Sequence, residues 1–316
     1  MMQIQKSSRL DNGRDRWPRK VTAILALAAA ATALCGCGSG GAGSSAASTS
    51  VLANAGNLSI VPGALPRPDH VVVVMDENRA SQQVIGNPQA PYINSLAAQG
   101  ALFTQSFALF HPSQPNYIAL LSGSNQGITD DACPATVLAT PNLASELLAA
   151  NLSFGSYSES LPAIGSMVCT AGLYAVKHNA MVNWQGGNIP PTANMPFTSF
   201  PTDFTELPTI SFVAANLMDD MHDGTIPQGD AWMQANIDAY AQWAKTHNSL
   251  LIFTFDEDDK NHANQIPTIF VGQMVKPGNY SERIDHYSVL RTILDMYGLP
   301  QLGNSVSSTP IRDVWQ

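Results

Sequence analysis

Continuous apolar runs alternate along this chain with stretches whose apolar positions recur every three or four residues. The continuous kind covers residues 70–75 (His-Val-Val-Val-Val-Met), 101–107, 249–255 (Ser-Leu-Leu-Ile-Phe-Thr-Phe) and 266–271. Unbroken β-branched and aromatic runs of this length predict strands buried on both faces, as in a parallel sheet covered by helices. Shorter strands are predicted over 154–158 and 209–213. Helices are predicted over 91–99, with Pro91 in the first turn and Gly100 as the stop. Another follows Ser113, with Pro115 near its start and Gly123 at its end. A third spans 140–148, capped by Thr140 or Asn142, and a fourth starts at Asp230 and carries the stripe Trp232, Met233, Ile237, Tyr240 and Trp243. The last spans 289–297, capped by Asp285 and stopped by Gly298 and Pro300. Between Ser160 and Pro208 the periodicity fades into a Pro-, Asn- and Gly-rich segment, expected to be an insertion that serves as a lid or substrate wall. The alternation predicts an α/β fold.

The N-terminus reads differently. Arg14, Arg16, Arg19 and Lys20 precede the apolar run Val21 to Leu34, which is too short and alanine-rich for a membrane span and suits an export leader. Leu34-Cys35-Gly36-Cys37 resembles a bacterial lipobox, with Cys37 as the lipidated residue; a plain signal peptide cut nearby is the alternative. The expected organisation is a lipoprotein-type signal peptide over 1–36, a flexible Gly/Ser/Ala-rich tether over 37–65 and one folded domain over 66–316. The protein is then exported, as a cell-envelope lipoprotein of the periplasm or outer membrane or as a secreted protein. Its only expected membrane contact is the lipid anchor at Cys37.

Hydrophobic residues make up 45% of the chain and charged ones 12%, so a large core is available. Beyond residue 36, nine Lys and Arg face 22 Asp and Glu, a net charge of −13 that argues against nucleic acid as a partner. A phosphate-bearing ligand would need local positive charge, and a metal ion is the economical source. Cys133 and Cys169 remain, and in an oxidising compartment a disulfide between them is the default; their spacing does not favour zinc.

The candidate chemistry gathers at strand ends. The run 70–75 ends in Asp76-Glu77-Asn78-Arg79, and the run 249–255 ends in Asp256-Glu257-Asp258-Asp259. The carboxyl ends of buried strands are where open α/β sheets hold ligands, and two carboxylate clusters there predict a shared oxygen-rich pocket for a divalent cation. Mg, Ca or Mn suits such oxygen ligands best, with Zn or Fe also compatible. Ser113, just before a helix start, is the candidate nucleophile, where free N–H groups favour an anion; an ordinary capping serine is the other reading. Asp220, His222 and Asp223, closed by Gly224, form a further polar cluster, and His286 stands at the last helix start.

Together, six segments resemble the bacterial and fungal phosphoesterase family of acid phosphatases and phospholipases C, which shares the alkaline-phosphatase-like fold. They are Val73-Val74-Met75-Asp76-Glu77-Asn78-Arg79, Ala90-Pro91-Tyr92-Ile93-Asn94, Pro112-Ser113-Gln114-Pro115-Asn116-Tyr117, Asp220-Met221-His222-Asp223-Gly224, Phe255-Asp256-Glu257-Asp258-Asp259 and Asp285-His286-Tyr287-Ser288. The resemblance implies a three-layer α/β/α sandwich with a loop-rich insertion, and a single catalytic domain over 66–316. It implies one divalent metal held by Glu77, Asn78, Ser113, Asp256 and Glu257. Ser113 would be the nucleophile of a metal-dependent phosphomonoesterase passing through a phosphoserine. His178, His222 and His286 fall at pocket positions suited to proton donation, with His286 or His222 the first choices, and Asn116 and Asp220 at substrate-binding positions. The implied substrate is a phosphate-ester small molecule or a lipid headgroup. The family's phospholipases C commonly show His-Gly-Gly after the Asp-Glu pair, where this chain has Asp258-Asp259-Lys260, which favours the phosphatase branch. A phospholipase C or phosphoinositide phosphatase is the alternative, and a metal-stabilised binding lipoprotein is the non-enzyme alternative.

Overall fold

The computed structural model describes residues 65–316; the expected signal peptide, Cys37 and all but the last residue of the tether lie outside them. In chain order the elements are β1 (His70–Asp76), α1 (Ser81–Val84), α2 (Pro91–Gln99), β2 (Ala101–Phe107), α3 (Gln114–Ser122), α4 (Leu143–Ala149), β3 (Phe154–Ser158), β4 (Thr170–Ala171), β5 (Tyr174–Ala175), β6 (Asn194–Pro196), β7 (Ile210–Ala214), α5 (Ile226–Ala244), β8 (Ser249–Phe255), β9 (Thr268–Val271), β10 (Gly278–Asp285) and α6 (His286–Tyr297). Eight strands form one sheet in the order β10-β2-β9-β8-β1-β7-β3-β6, and β4 pairs with β5 as a small hairpin. Only β9 runs against its neighbours in the large sheet.

The continuous apolar runs are buried on both faces because helices cover both. Val71, Val73 and Met75 of β1 face the layer of α3, α4 and α6, while Val72 and Val74 face α2 and α5. β8 alternates in the same way, Leu250 and Ile252 to the first layer and Leu251, Phe253 and Phe255 to the second. This is the three-layer α/β/α sandwich expected. At the centre of the sheet β1 pairs in parallel with both β7 and β8, so the carboxyl ends of these strands, and the polar residues that follow them, emerge side by side.

Four expectations need correction. The fourth helix starts at Ile226, with Pro227 in its first turn, so Asp230 lies inside it. Asp230 is buried, and its carboxylate accepts from the backbone N–H groups of Tyr92 and Ile93 at 3.1 and 2.8 Å. It thereby caps α2, whose own N-cap residue, Ala90, has no acceptor. The strand expected over 266–271 is shorter, Thr268–Val271. β10 was not anticipated, because it is an edge strand whose residues are mostly exposed and polar. The segment from Ser160 to Pro208 is more than a lid: its 3-10 turns bury Met181, Val182 and Trp184, and it supplies β6 to the sheet edge. The Cys133–Cys169 disulfide is formed.

Candidate active site

Ser113 occupies the N-cap position of α3, yet its hydroxyl makes no capping bond. It donates instead to Glu77 Oε2 at 2.8 Å. Pro115 in the first turn has no N–H to cap, and the Gln114 N–H is taken by Asp131 Oδ1 at 2.9 Å. The helix start therefore frees Ser113 Oγ, but the Gln114 amide is not open to an anion as the sequence implied, because Asp131 already fills that place.

Glu77 and Asn78 continue from β1, and Asn78 takes the left-handed conformation with φ 51° that asparagine tolerates better than most residues. Its backbone N–H donates to Asp256 Oδ1 at 3.0 Å, which ties the ends of β1 and β8 together. Glu77 Oε1 lies 2.9 Å from His178 Nε2, and His178 Nδ1 lies 2.8 Å from Asp220 Oδ2. Burial pushes the Glu77 carboxyl up, but the His178 charge and the hydrogen bonds around it prevail and hold it at about 2. Burial pushes the His178 imidazole down, and Glu77 and Asp220 more than reverse this, raising it to about 9. Burial raises Asp256 well above the carboxylate range, with Glu77 and Glu257 adding to the effect, and Glu257 is raised to about 8 by burial and Glu77.

Asn78 Oδ1 and Asp256 Oδ2 are buried and receive no hydrogen bond, and the same holds for both carboxylate oxygens of Asp76. Orphaned oxygens beside a shared cluster of acids are what a cation site leaves when only protein donors are counted. The donor set Glu77, Asn78, Ser113 and Asp256 thus fits a divalent metal. Ligand atoms of Glu77, His178 and His222 also lie within 4.8 Å of one another, a second way of holding an ion with the same glutamate. Glu257 Oε2 is bound to His111 Nδ1 at 2.6 Å, and His111 Nε2 lies 3.2 Å from Asp258 Oδ1.

Ser113, Asn78, His222 and Glu257 line one open cleft with Arg79, Asp131 and Lys260. His222 Nε2 lies 2.7 Å from Lys177 Nζ, and its Nδ1 lies 2.8 Å from Asp223. Four of the predicted catalytic and substrate-binding residues do not line the cleft: His178 and Asp220 are buried against each other behind Glu77, and Asn116 and His286 are buried elsewhere. Asn116 is fully buried and spends its amide on the loop, accepting from Leu109 and Phe110 N–H and donating to the Phe110 carbonyl. His286 is buried with Nε2 2.9 Å from the Asp256 carbonyl, and burial pushes its imidazole below the ordinary value. Sequence reasoning passed over His111, Lys177 and Arg79. For His111 the available signal was its place at the head of the Ser113 loop.

Residues 87–300 match the model of the Phosphoesterase family. The chain belongs to this family. It is 51% identical, over 82% of its length and 86% of the relative's, to a phosphatidylinositol-3-phosphatase of Mycobacterium tuberculosis. It is 31% identical over 66% of its length to an acid phosphatase of Aspergillus fumigatus, of which it spans 51%. A member of the alkaline phosphatase superfamily from Vibrio parahaemolyticus superposes with a TM-score of 0.57 at 12% identity, over 80% of this chain and 72% of that one, and shares its fold. This phosphoesterase is accordingly a hydrolase of phosphoric ester bonds. Among the described residues, Glu77, His178 and His222 are grouped closely enough to hold a metal ion.

Proposed function

We propose that the chain is a metal-dependent phosphomonoesterase with Ser113 as nucleophile, and that its substrates include phosphomonoesters on inositol lipids. The observation that carries the reading is the Ser113 hydroxyl, which leaves its own helix uncapped and donates to buried, ionised Glu77. The lipid part follows from the phosphatidylinositol-3-phosphatase relative, whose identity to this chain extends over most of both proteins. Three of the nine Lys and Arg in the described residues, Arg79, Lys177 and Lys260, stand on or beside the cleft, a concentration of positive charge suited to a phosphate in an otherwise acidic body.

Glu77, Asn78 and Asp256, with Ser113 and Glu257 beside them, would hold the ion. When bound it supplies positive charge to the phosphate and lowers the pKa of the serine hydroxyl. Glu77 Oε2 orients Ser113 Oγ for in-line attack on phosphorus, and the hydroxyl proton passes along that hydrogen bond. The Oγ–P bond forms as the bond to the leaving alcohol breaks, and the proton shared between Lys177 Nζ and His222 Nε2 passes to the alkoxide. Water then attacks the phosphoserine, yields its proton to His222, and Ser113 recovers its own from Glu77. Lys177 holds the His222 ring in place.

A panel of a soluble phosphomonoester, a phosphodiester, phosphatidylcholine and phosphatidylinositol-3-phosphate tests the reading. Release of inorganic phosphate from the monoesters alone is the expected result. Diester or phosphatidylcholine cleavage without monoester cleavage favours the phospholipase C alternative and refutes ours.

A further inference from the structure

Seven large apolar side chains are exposed among the described residues, and five of them lie on two segments joined by the Cys133–Cys169 disulfide. Val137 is 51% exposed on one segment; Ile164, Met167, Val168 and Leu173 are 57, 47, 40 and 44% exposed within ten residues of the other. From Ser160 to Val176 the second segment has no ionisable side chain apart from bonded Cys169 and Tyr174, which is buried. In a chain with so many acids, a surface stretch of this length without a carboxylate or a cation is a distinct feature.

Its place is set by the sheet. The segment leaves the carboxyl end of β3, which runs parallel to β7 and so in the same direction as β1, whose carboxyl end delivers Glu77. It leads directly into Lys177 and His178, and the Leu173 carbonyl accepts from Leu217 N–H at 3.1 Å on the segment that carries His222. The disulfide ties it to the loop of Asp131, which lines the cleft. The two segments that carry these side chains are therefore tied by the disulfide, the Leu173–Leu217 hydrogen bond and the chain itself to residues that form the site.

We infer that the exposed apolar side chains of Val137, Ile164, Met167, Val168 and Leu173 form a docking surface for a phospholipid layer, seating the cleft over a headgroup phosphate. The inference rests on the lipid part of the reading above. An acidic body is repelled by anionic lipid, so the attraction has to come from uncharged side chains entering the interface, and these segments offer them. Several exposed apolar side chains gathered on two cross-linked segments beside a ligand cleft suit an interaction surface, whereas a single exposed apolar residue such as Val306 does not.

The test uses the full chain with Cys37→Ser in every protein, so that no lipidated cysteine contributes, and phosphatidylcholine vesicles with and without phosphatidylinositol-3-phosphate. The combined variant Ile164→Asp, Met167→Asp and Leu173→Asp is expected to lower vesicle partitioning about tenfold or more. It should lower kcat/KM on vesicle-borne lipid in parallel, and leave kcat/KM on a water-soluble short-chain version of the same phospholipid unchanged. Val306→Asp should change none of these, and added salt should not weaken binding of the parent protein. Unchanged partitioning, an equal loss on the soluble ester, or binding abolished by salt overturns the docking surface. Self-association that the three aspartates abolish, without any vesicle effect, also overturns it, in favour of a protein contact. If neither form of the phospholipid is hydrolysed while partitioning still falls in the variant, the docking surface stands and the substrate reading fails.

Discussion

Ser113 shows how little a single residue declares about itself. Before a helix, a serine is most often a cap, and here the cap position is occupied while the capping bond is missing. The hydroxyl is committed to Glu77, so Ser113→Ala should lower kcat on a phosphomonoester by about a thousandfold or more, with only a partial loss of metal affinity because Glu77, Asn78 and Asp256 remain, and with the unfolding midpoint nearly unchanged. The neighbouring carboxylates give a pH prediction of definite sign. Glu257 is raised from 4.5 to about 8 and Asp256 is raised as well, so the folded metal-free chain binds protons more tightly there than the unfolded chain does. Their contribution to stability is fully present below the unfolded values and is lost as pH rises through the folded ones. Denaturant melts of the metal-free protein between about pH 4 and pH 8 should show stability from these groups declining, with Glu257→Gln flattening the decline. The clusters at 76–79 and 256–259 were legible in the sequence because buried strands end there. The roles of Asn116, His286 and His111 were not, since each depends on a partner brought up by the fold: the 109–110 backbone, the Asp256 carbonyl and Glu257.

At the scale of elements, legibility follows burial. β1, β2 and β8 coincide with apolar runs because both their faces are covered, which removes any need for polar alternation. β10 has no such run, since it closes the sheet edge with exposed polar residues. The start of α5 was displaced because Thr225 and Pro227 mark it, while Asp230, which looks like a cap in sequence, caps another helix. Asp230→Ala leaves two buried N–H groups of α2 without an acceptor and should destabilise the fold by about 1–3 kcal/mol in denaturant titration. Its effect on kcat should be small, because α2 lies on the face of the sheet opposite α3. Gly123 ends α3 with φ +75°, and a Cβ there would collide with the Leu302 carbonyl carbon at 2.6 Å. Gly123→Ala should therefore also lower the unfolding midpoint, through both the backbone conformation and the clash.

Taken whole, the molecule is an acidic body that gathers carboxylates at the centre of its sheet and sets some of its few cations around them. Asp256 and Glu257 hold their protons more tightly than free carboxyls because they are buried beside other acids, so metal uptake there displaces protons and weakens as pH falls. Chelation should abolish phosphatase activity, and readdition of a divalent ion should restore it, with less ion needed at neutral than at acidic pH. The α/β class was legible from the alternation of buried strands and helices, and the three-layer arrangement from the family resemblance of the strand-end segments. The ordered part of the 160–208 segment was not, because 3-10 turns bury residues without the helical period that sequence reading follows. The central claim concerns where the phosphoryl group goes, and the most direct measurement is acid quenching during turnover of a phosphomonoester followed by peptide mass spectrometry. Phosphate on Ser113 in the parent protein, and none on the corresponding peptide of Ser113→Ala, is the predicted result. Sustained turnover in Ser113→Ala, with the phosphoryl group on another residue or on none, would contradict the account.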